Sequence, residues 1–357
     1  VIKSTGSWYL VKSEDSDILE CRLKGKFRNK GIKSTNPIVV GDRVKLEESE
    51  NSYMITELYD RRNFIIRKSV NLSKKTHIIA SNIDQAILMV TLVDPVTTTN
   101  FIDRFLVSAN AFGVQVILLF NKIDLYSEEQ KKNLIALEDL YQDIGNETIS
   151  ISILDSDLLE IKELMKGKIN LIAGHSGVGK STLINKLQPD LNINTNQIST
   201  SYHQGQHTTT FSELYDLDFG ASIIDSPGIR GFGLVEIDQN EISNYFPEFF
   251  KLRRLCKFHN CMHLNEPNCE VKLSLLKGKI SESRYFNMPI LDKTVYHFMT
   301  RNVQTIDAHT SIFDAASLFS KTKRRRFPVL DKDNLVGQVS RKDIVIAAIN
   351  LKSQTWR

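Results

Sequence analysis

The first seventy residues alternate apolar and polar positions over short runs broken by Gly, Asn and Pro. Residues 8–12, 18–27, 42–46 and 54–59 have the length and period of strands, which predicts a small all-β barrel or sandwich. From about Thr76 the texture changes. Apolar runs at 86–93, 114–120, 169–173 and 221–224 predict strands, and helical patterns at 101–111, 128–141, 158–165 and 181–187 alternate with them. Such alternation implies βαβ units around a mostly parallel sheet. Gly113 and Pro189 stand where helices should stop. Past about Ile237 the chain turns helical and aromatic, and after Met288 its character shifts once more. No repeat of fixed period is present.

At 357 residues the chain is long enough for two to four compact units. It is 41% hydrophobic and 25% charged, with a mean hydropathy of −0.22 and no low-complexity tract, which excludes a disordered or fibrous protein. The longest apolar runs, such as 114–120, fall far short of the roughly 20 residues of a bilayer span, so no membrane is expected. No basic-then-apolar leader opens the chain, although Val1 stands where a Met would start it, and the expected location is cytoplasmic. Three of the four Cys crowd between Cys256 and Cys269, unlike the spread framework of a secreted disulfide protein. A formal charge of +4 permits a nucleic-acid partner without demanding one.

The most specific motif is GHSGVGKS, Gly174 to Ser181, between the apolar run 169–173 and the helical STLINKL. Its glycines let backbone N–H groups curl around phosphates, and the new helix aims its positive end there. Gly174, His175, Ser176, Gly177, Val178, Gly179, Lys180, Ser181 and Thr182 form this candidate nucleotide loop, with Lys180 reaching the β and γ oxygens and Ser181 the Mg²⁺. NKID, Asn121 to Asp124, ends the strand 114–120. Asp124 can accept from N1–H and the 2-amino group of guanine, Asn121 can meet N7, and the Lys122 stem can lie along the base. Adenine would leave a buried Asp124 unpaired, so GTP is preferred. DSPG would place Asp225 near the metal's water shell and the Gly228 N–H near the γ-phosphate. In GQHTTT, Thr208 or Thr209 could close on Mg²⁺ and the γ-phosphate. In isolation DSPG reads as an ordinary turn and GQHTTT as a polar loop.

Cys256, Cys261, His263 and Cys269 supply three thiolates and one imidazole, a full tetrahedral set suited to a structural zinc ion, with His259 as the substitute imidazole. The alternative is buried cysteines packing as small hydrophobes. Arg22, Lys24, Lys26, Arg28 and Lys30 alternate, with Lys33 following and no acid among them. At period two they share one strand face, while Leu23 and Phe27 turn the other way. Such a face suits a phosphate backbone; it equally suits a solvated edge strand guarded by lysines.

NKID and the following Ser152 precede the phosphate loop, the reverse of Ras-like order, which reads as a circular permutation. With NKID, GHSGVGKST, GQHTTT, DSPG and the Cys/His cluster in this sequence, residues 1–288 resemble the RsgA family of small-ribosomal-subunit-dependent GTPases. The resemblance implies a multidomain chain: an OB-fold RNA-binding barrel (1–70), a circularly permuted α/β P-loop GTPase domain (71–237) and a small α-helical zinc-binding domain (238–288). It favours His263 as the zinc ligand. It also implies late maturation of the small (30S) subunit, with contact to its 16S rRNA and release timed by hydrolysis of GTP to GDP. Ile153 departs from the family's Ser-Ala base contact, leaving the backbone N–H to meet guanine O6. Residues 289–357 instead resemble a single α+β CBS motif, in which Ser340 and Asp343 match ribose and phosphate positions. The expected state is a monomer, with dimerisation through this segment as the alternative. The segment is also open to reading as an interaction module or as part of a composite chain.

Ile229 stands where many Ras-like enzymes carry a water-orienting Gln, so slow intrinsic turnover is expected, rising on the ribosome as His207 approaches the γ-phosphate. His207, Thr208, Thr209 and Lys180 are the candidate catalytic residues, and Ser181, Thr208 and Asp225 the candidate magnesium site. The rivals are a GTP-gated rRNA-binding scaffold and a GTPase regulated by adenine nucleotides through the CBS-like segment.

Overall fold

The structure, a computed structural model, describes residues 1–5, 8–24, 37–49, 52–68, 76–191, 212–225, 234, 237–288, 303–322, 324, 326–332 and 334–354. It divides into two compact units, Val1–Asp292 and Lys293–Arg357.

The first unit opens with β1 (Lys3–Ser4), β2 (Tyr9–Lys12), β3 (Ile18–Leu23), β4 (Val44–Ser49) and β5 (Ser52–Leu58), in the order β1-β2-β3-β5-β4. β3 runs parallel to β5, and the other neighbours are antiparallel. In β3, Cys21 and Leu23 turn inward to join Tyr9, Val11, Ile38 and Ile55, while Arg22 stays exposed, as does Lys24 just beyond it. That is the alternation a half-buried strand requires. The barrel is fastened by Asp42, whose buried carboxylate receives two bonds from Arg61 at 2.7 Å, one from the Ser81 hydroxyl at 2.6 Å and one from the Val39 amide at 2.8 Å. A buried carboxylate is tolerated because its lone pairs are all engaged. Ser81 ends a hairpin of β6 (Phe64–Lys68) and β7 (Thr76–Ser81), which the apolar pattern alone does not reveal.

The α/β strands are β8 (Gln85–Val90), β9 (Gln115–Phe120), β10 (Glu147–Ser150), β11 (Ile169–Gly174), β12 (Glu213–Asp216) and β13 (Ser222–Asp225), ordered β10-β9-β8-β11-β13-β12. The first five are parallel and β12 is antiparallel. β1 pairs with β12, so the barrel and the α/β strands form one hydrogen-bonded succession. Every residue of β8 is buried, because helices cover both faces. Ala86, Leu88 and Val90 face a core with α1 (Thr99–Ala111) and α2 (Glu128–Asp143). Ile87 and Met89 face the opposite core with α3 (Leu159–Met165) and α4 (Lys180–Leu187). Thr98 caps α1, and a reciprocal Ser127–Gln130 box caps α2.

Beyond these lie α5 (Pro247–Arg253), α6 (Glu270–Leu276) and α7 (Glu282–Asn287), closing on Phe246, Phe249, Val271 and Val107 of α1. Arg284 of α7, only 1% exposed, bonds Asp103 of α1 at 2.6 Å and grips Glu248 of α5 through two bonds at 2.8 and 3.0 Å. Burial alone would lower the Arg284 pKa; the fields of Asp103 and Glu248 overcome it and hold the guanidinium above its ordinary value.

The second unit has a three-stranded sheet ordered β14 (Ile306–Asp307), β15 (Arg326–Asp331) and β16 (Asn334–Ser340), with helices Ile312–Lys321 and Arg341–Gln354. Ile306, Ala315, Phe319 and Phe327 form its core.

Candidate nucleotide site and metal centre

The permuted motifs converge at the C-terminal ends of three parallel strands, β9, β11 and β13, with β8 between the first two, where ligand loops of such sheets project. β9 delivers Asn121, β11 delivers the Gly174 loop, and β13 ends on Asp225 itself. Asn121, 4% exposed, links the three recognition segments: its Nδ2 donates to the Val178 carbonyl at 2.8 Å, and its Oδ1 accepts the Ile153 amide at 3.1 Å. That amide is the one expected near guanine O6, and the Ile153 side chain is buried in the core under the loop. Ser152 donates to Asp155 at 2.8 Å. Lys186 of α4 holds the Ile153 and Leu154 carbonyls at 2.7 and 2.8 Å, a tie that motif spacing does not reveal.

Gly179 (φ +105°) starts α4 where a Cβ would lie 2.6 Å from Asn121 Nδ2, so only glycine fits the conformation and the space. Lys180 donates to the Gly174 and His175 carbonyls at 3.0 and 2.7 Å. Burial pulls its ammonium down to about 8, against the opposing field of Asp225. Burial likewise pushes the Asp225 carboxyl up to about 6, against Lys180. Two opposite charges in a partly desolvated cleft beside a glycine-rich loop are a setting for a phosphate chain and a dication. His175 lies 3.9 Å, centroid to centroid, from the Phe101 ring of α1. Ser181 and Thr182 open α4 and are half-buried. Asp124 sits in a 3₁₀ turn and is exposed rather than buried, so its pairing can penalise adenine only once a base covers it. His207, Thr208, Thr209, Gly228 and Ile229 lie outside the described residues, as do Lys26, Arg28, Lys30 and Lys33. On the barrel face that is described, Arg22 stacks over the Trp8 ring at 3.7 Å and Lys24 pairs with Glu47 at 2.8 Å.

The ligand atoms of Cys256, Cys261, His263 and Cys269 all lie within 4.8 Å of one another. Cys256 Sγ is 3.9 Å from Cys269 Sγ, and His263 Nδ1 is 3.6 and 3.4 Å from these two sulfurs. Metal–sulfur bonds of about 2.3 Å in a tetrahedron give edges of about 3.8 Å, so the donor set fits zinc. His259 is exposed and outside the cluster. Burial pushes the Cys261 thiol up to about 12, a penalty that a dication offsets by binding the thiolate. The Glu266 carboxylate shapes the ligand loop by accepting the Met262, Leu264 and Asn265 amides, and Tyr285 donates to the His263 carbonyl at 2.7 Å. In the second unit, Ser340 and Asp343 bond each other, Ser340 Oγ donating at 2.7 Å, as a cap on the helix Arg341–Gln354. Among the described residues, no helix is long and apolar enough to cross a membrane.

Comparison with known proteins bears on the same segments. The family profile for the RsgA GTPase matches residues 58–235, that for the RsgA N-terminal domain matches 1–54, and that for the CBS domain matches 295–350. The chain is 56% identical over 290 residues to a small ribosomal subunit biogenesis GTPase RsgA of Flavobacterium psychrophilum, covering 80% of this chain and 89% of that one. It is 55% identical over 290 residues to the protein of the same name from Christiangramia forsetii, covering 80% and 92%. Among solved structures it resembles YjeQ from Thermotoga maritima, with a TM-score of 0.65, 33% identity and coverage of 81% of this chain and 94% of that one. It also resembles YloQ, described as a circularly permuted GTPase, with a TM-score of 0.63, 28% identity and coverage of 84% and 95%.

Proposed function

This chain belongs to the RsgA family of GTPases, and from that premise we propose how its own residues divide the work of a GTP hydrolase in small ribosomal subunit biogenesis. Asn121, Lys122 and Asp124 read guanine, and the Ile153 amide meets O6 by exchanging its bond to Asn121 Oδ1 for the base. The loop from Gly174 to Thr182 holds the phosphate chain, with Lys180 on its β and γ oxygens. Ser181, Thr208 and Asp225 would hold Mg²⁺, which neutralises the charge of those oxygens. Cys256, Cys261, His263 and Cys269 would hold one structural zinc. The observation that carries the reading is the two-sided bonding of Asn121, which joins three motifs that arrive in permuted order.

His207 acts on the hydrolytic water, Thr208 and Thr209 close over the γ-phosphate, and the Gly228 N–H meets it. Ile229 cannot orient a water, so the free protein turns over slowly and the small subunit supplies the missing order. The basic barrel face contacts 16S rRNA, and the protein acts as a monomer in the cytoplasm. GTPase assays with and without small subunits test this: stimulation is expected, while GTP-dependent binding without stimulation would favour a scaffold. His207→Ala should abolish the stimulated rate and leave GTP affinity near that of the wild type; equal stimulation in the variant removes the role of His207.

The CBS match gives a second reading, an adenine-nucleotide sensor or a dimerisation module. A shift in melting temperature with AMP or ATP would support the sensor, and sedimentation decides between monomer and dimer.

A further inference from the structure

The base-reading turn holds an unfavourable backbone conformation in place. Lys122, between Asn121 and Asp124, sits at φ +65°, a left-handed torsion that disfavours any residue with a Cβ. The peptide that sets this angle joins Asn121 to Lys122, and its carbonyl oxygen accepts from the Tyr126 phenol at 2.8 Å. The same phenol oxygen accepts the Leu92 amide at 2.9 Å. The Tyr126 ring is 5% exposed and packs in the core beneath β8 and β9. On the other side of the turn, the Lys122 ammonium donates to the Asp94 carbonyl at 2.5 Å. Leu92 and Asp94 belong to one loop, 91–97, itself closed by the Thr97 amide on the Thr91 carbonyl at 2.8 Å and the Thr91 hydroxyl on the Pro95 carbonyl at 2.5 Å. Among the described residues the Asp124 carboxylate has no hydrogen bond or ion pair, so its aim is set by the backbone beneath it.

We propose that Tyr126 is a specificity-positioning residue for guanine: its phenol, backed by the 91–97 loop, fixes the Asn121–Lys122 peptide so that Asn121 and Asp124 face the base before it arrives. This rests on the guanine reading given above. Tyr126 belongs to none of the sequence motifs, and its phenol is engaged by the Asn121 carbonyl and the Leu92 amide. Without its hydroxyl, the Asn121 carbonyl loses a partner in a buried place and the Leu92 amide one in a half-buried place, and the left-handed torsion is free to relax. The phosphate loop is untouched by that change, which gives the effect a signature.

Tyr126→Phe in the full, zinc-replete chain keeps the ring volume, and thermal melting reports whether the variant folds. Calorimetric titrations with GDP, with IDP, which lacks the 2-amino group, and with inorganic tripolyphosphate separate base from phosphate recognition. The wild type should prefer GDP to IDP. In Tyr126→Phe, GDP affinity should fall about tenfold, IDP affinity by only about threefold and tripolyphosphate affinity not at all, while KM for GTP rises and kcat at saturation holds. Thr91→Val, which slackens the 91–97 loop from its far side, should give a weaker form of the same pattern and serves if Tyr126→Phe does not fold. An unchanged GDP-to-IDP ratio, or equal losses for all three ligands, overturns the proposal. A wild type that fails to separate GDP from ADP removes the guanine reading itself, a result distinct from failure of the variant.

Discussion

At Gly179 three loops meet within one missing methyl. The glycine motif makes the need for small residues legible, but the atom that a side chain would strike, Asn121 Nδ2, belongs to a residue far earlier in the chain. Gly179→Ala combines a left-handed torsion with displacement of Asn121 from the Val178 carbonyl. Together these cost about 2–3 kcal/mol, so GDP affinity should fall roughly 30- to 150-fold, read by calorimetry. Retained affinity would show that Asn121 can move without loss. The exposure of Asp124 illustrates the limit of motif reading: the residue type states the chemistry, while its solvation depends on neighbours that the motif does not name.

Helix α1 carries Phe101 to the His175 ring of the phosphate loop and Asp103 to Arg284 among the helices that follow Asp225 in sequence. Its periodicity made the helix legible. The buried Arg284 was not, because arginine almost always reads as surface. Only the fold brings Asp103, Glu248 and the Phe246 ring around it, with Asn287 donating to the same Asp103. Arg284→Ala leaves Asp103 buried without its cation and should destabilise the first unit by about 3–5 kcal/mol, read by denaturant unfolding. A loss within experimental error would mean that the cluster is not held as an ion pair. Among the α/β strands, the two missed from sequence, β10 and β12, are four residues each and lie at the flanks of the order, where one face meets solvent and no continuous apolar run marks them.

Across the first unit, chain order and spatial order differ. The strand bearing the phosphate loop comes fourth among the α/β strands in sequence yet sits between β8 and β13. The motif order made that permutation legible, because each motif must end a strand of one sheet. The boundary near residue 70 was harder to place, since Arg61 and Ser81 tie the following hairpin back to Asp42 of the barrel. Charge reversal at Lys24, Lys26 and Arg28 should weaken binding to small subunits and flatten its salt dependence, because fewer counterions are released. Binding unchanged in strength and salt slope would assign these side chains to solvent.

Guanine selectivity in this molecule requires a guanosine polyphosphate pocket assembled from permuted segments. Equilibrium titration of the zinc-replete chain with GDP and with ADP tests it most directly. A micromolar dissociation constant for GDP, with ADP weaker by about a hundredfold or more, is the predicted result; equal affinity for the two, or retention of neither, would contradict it.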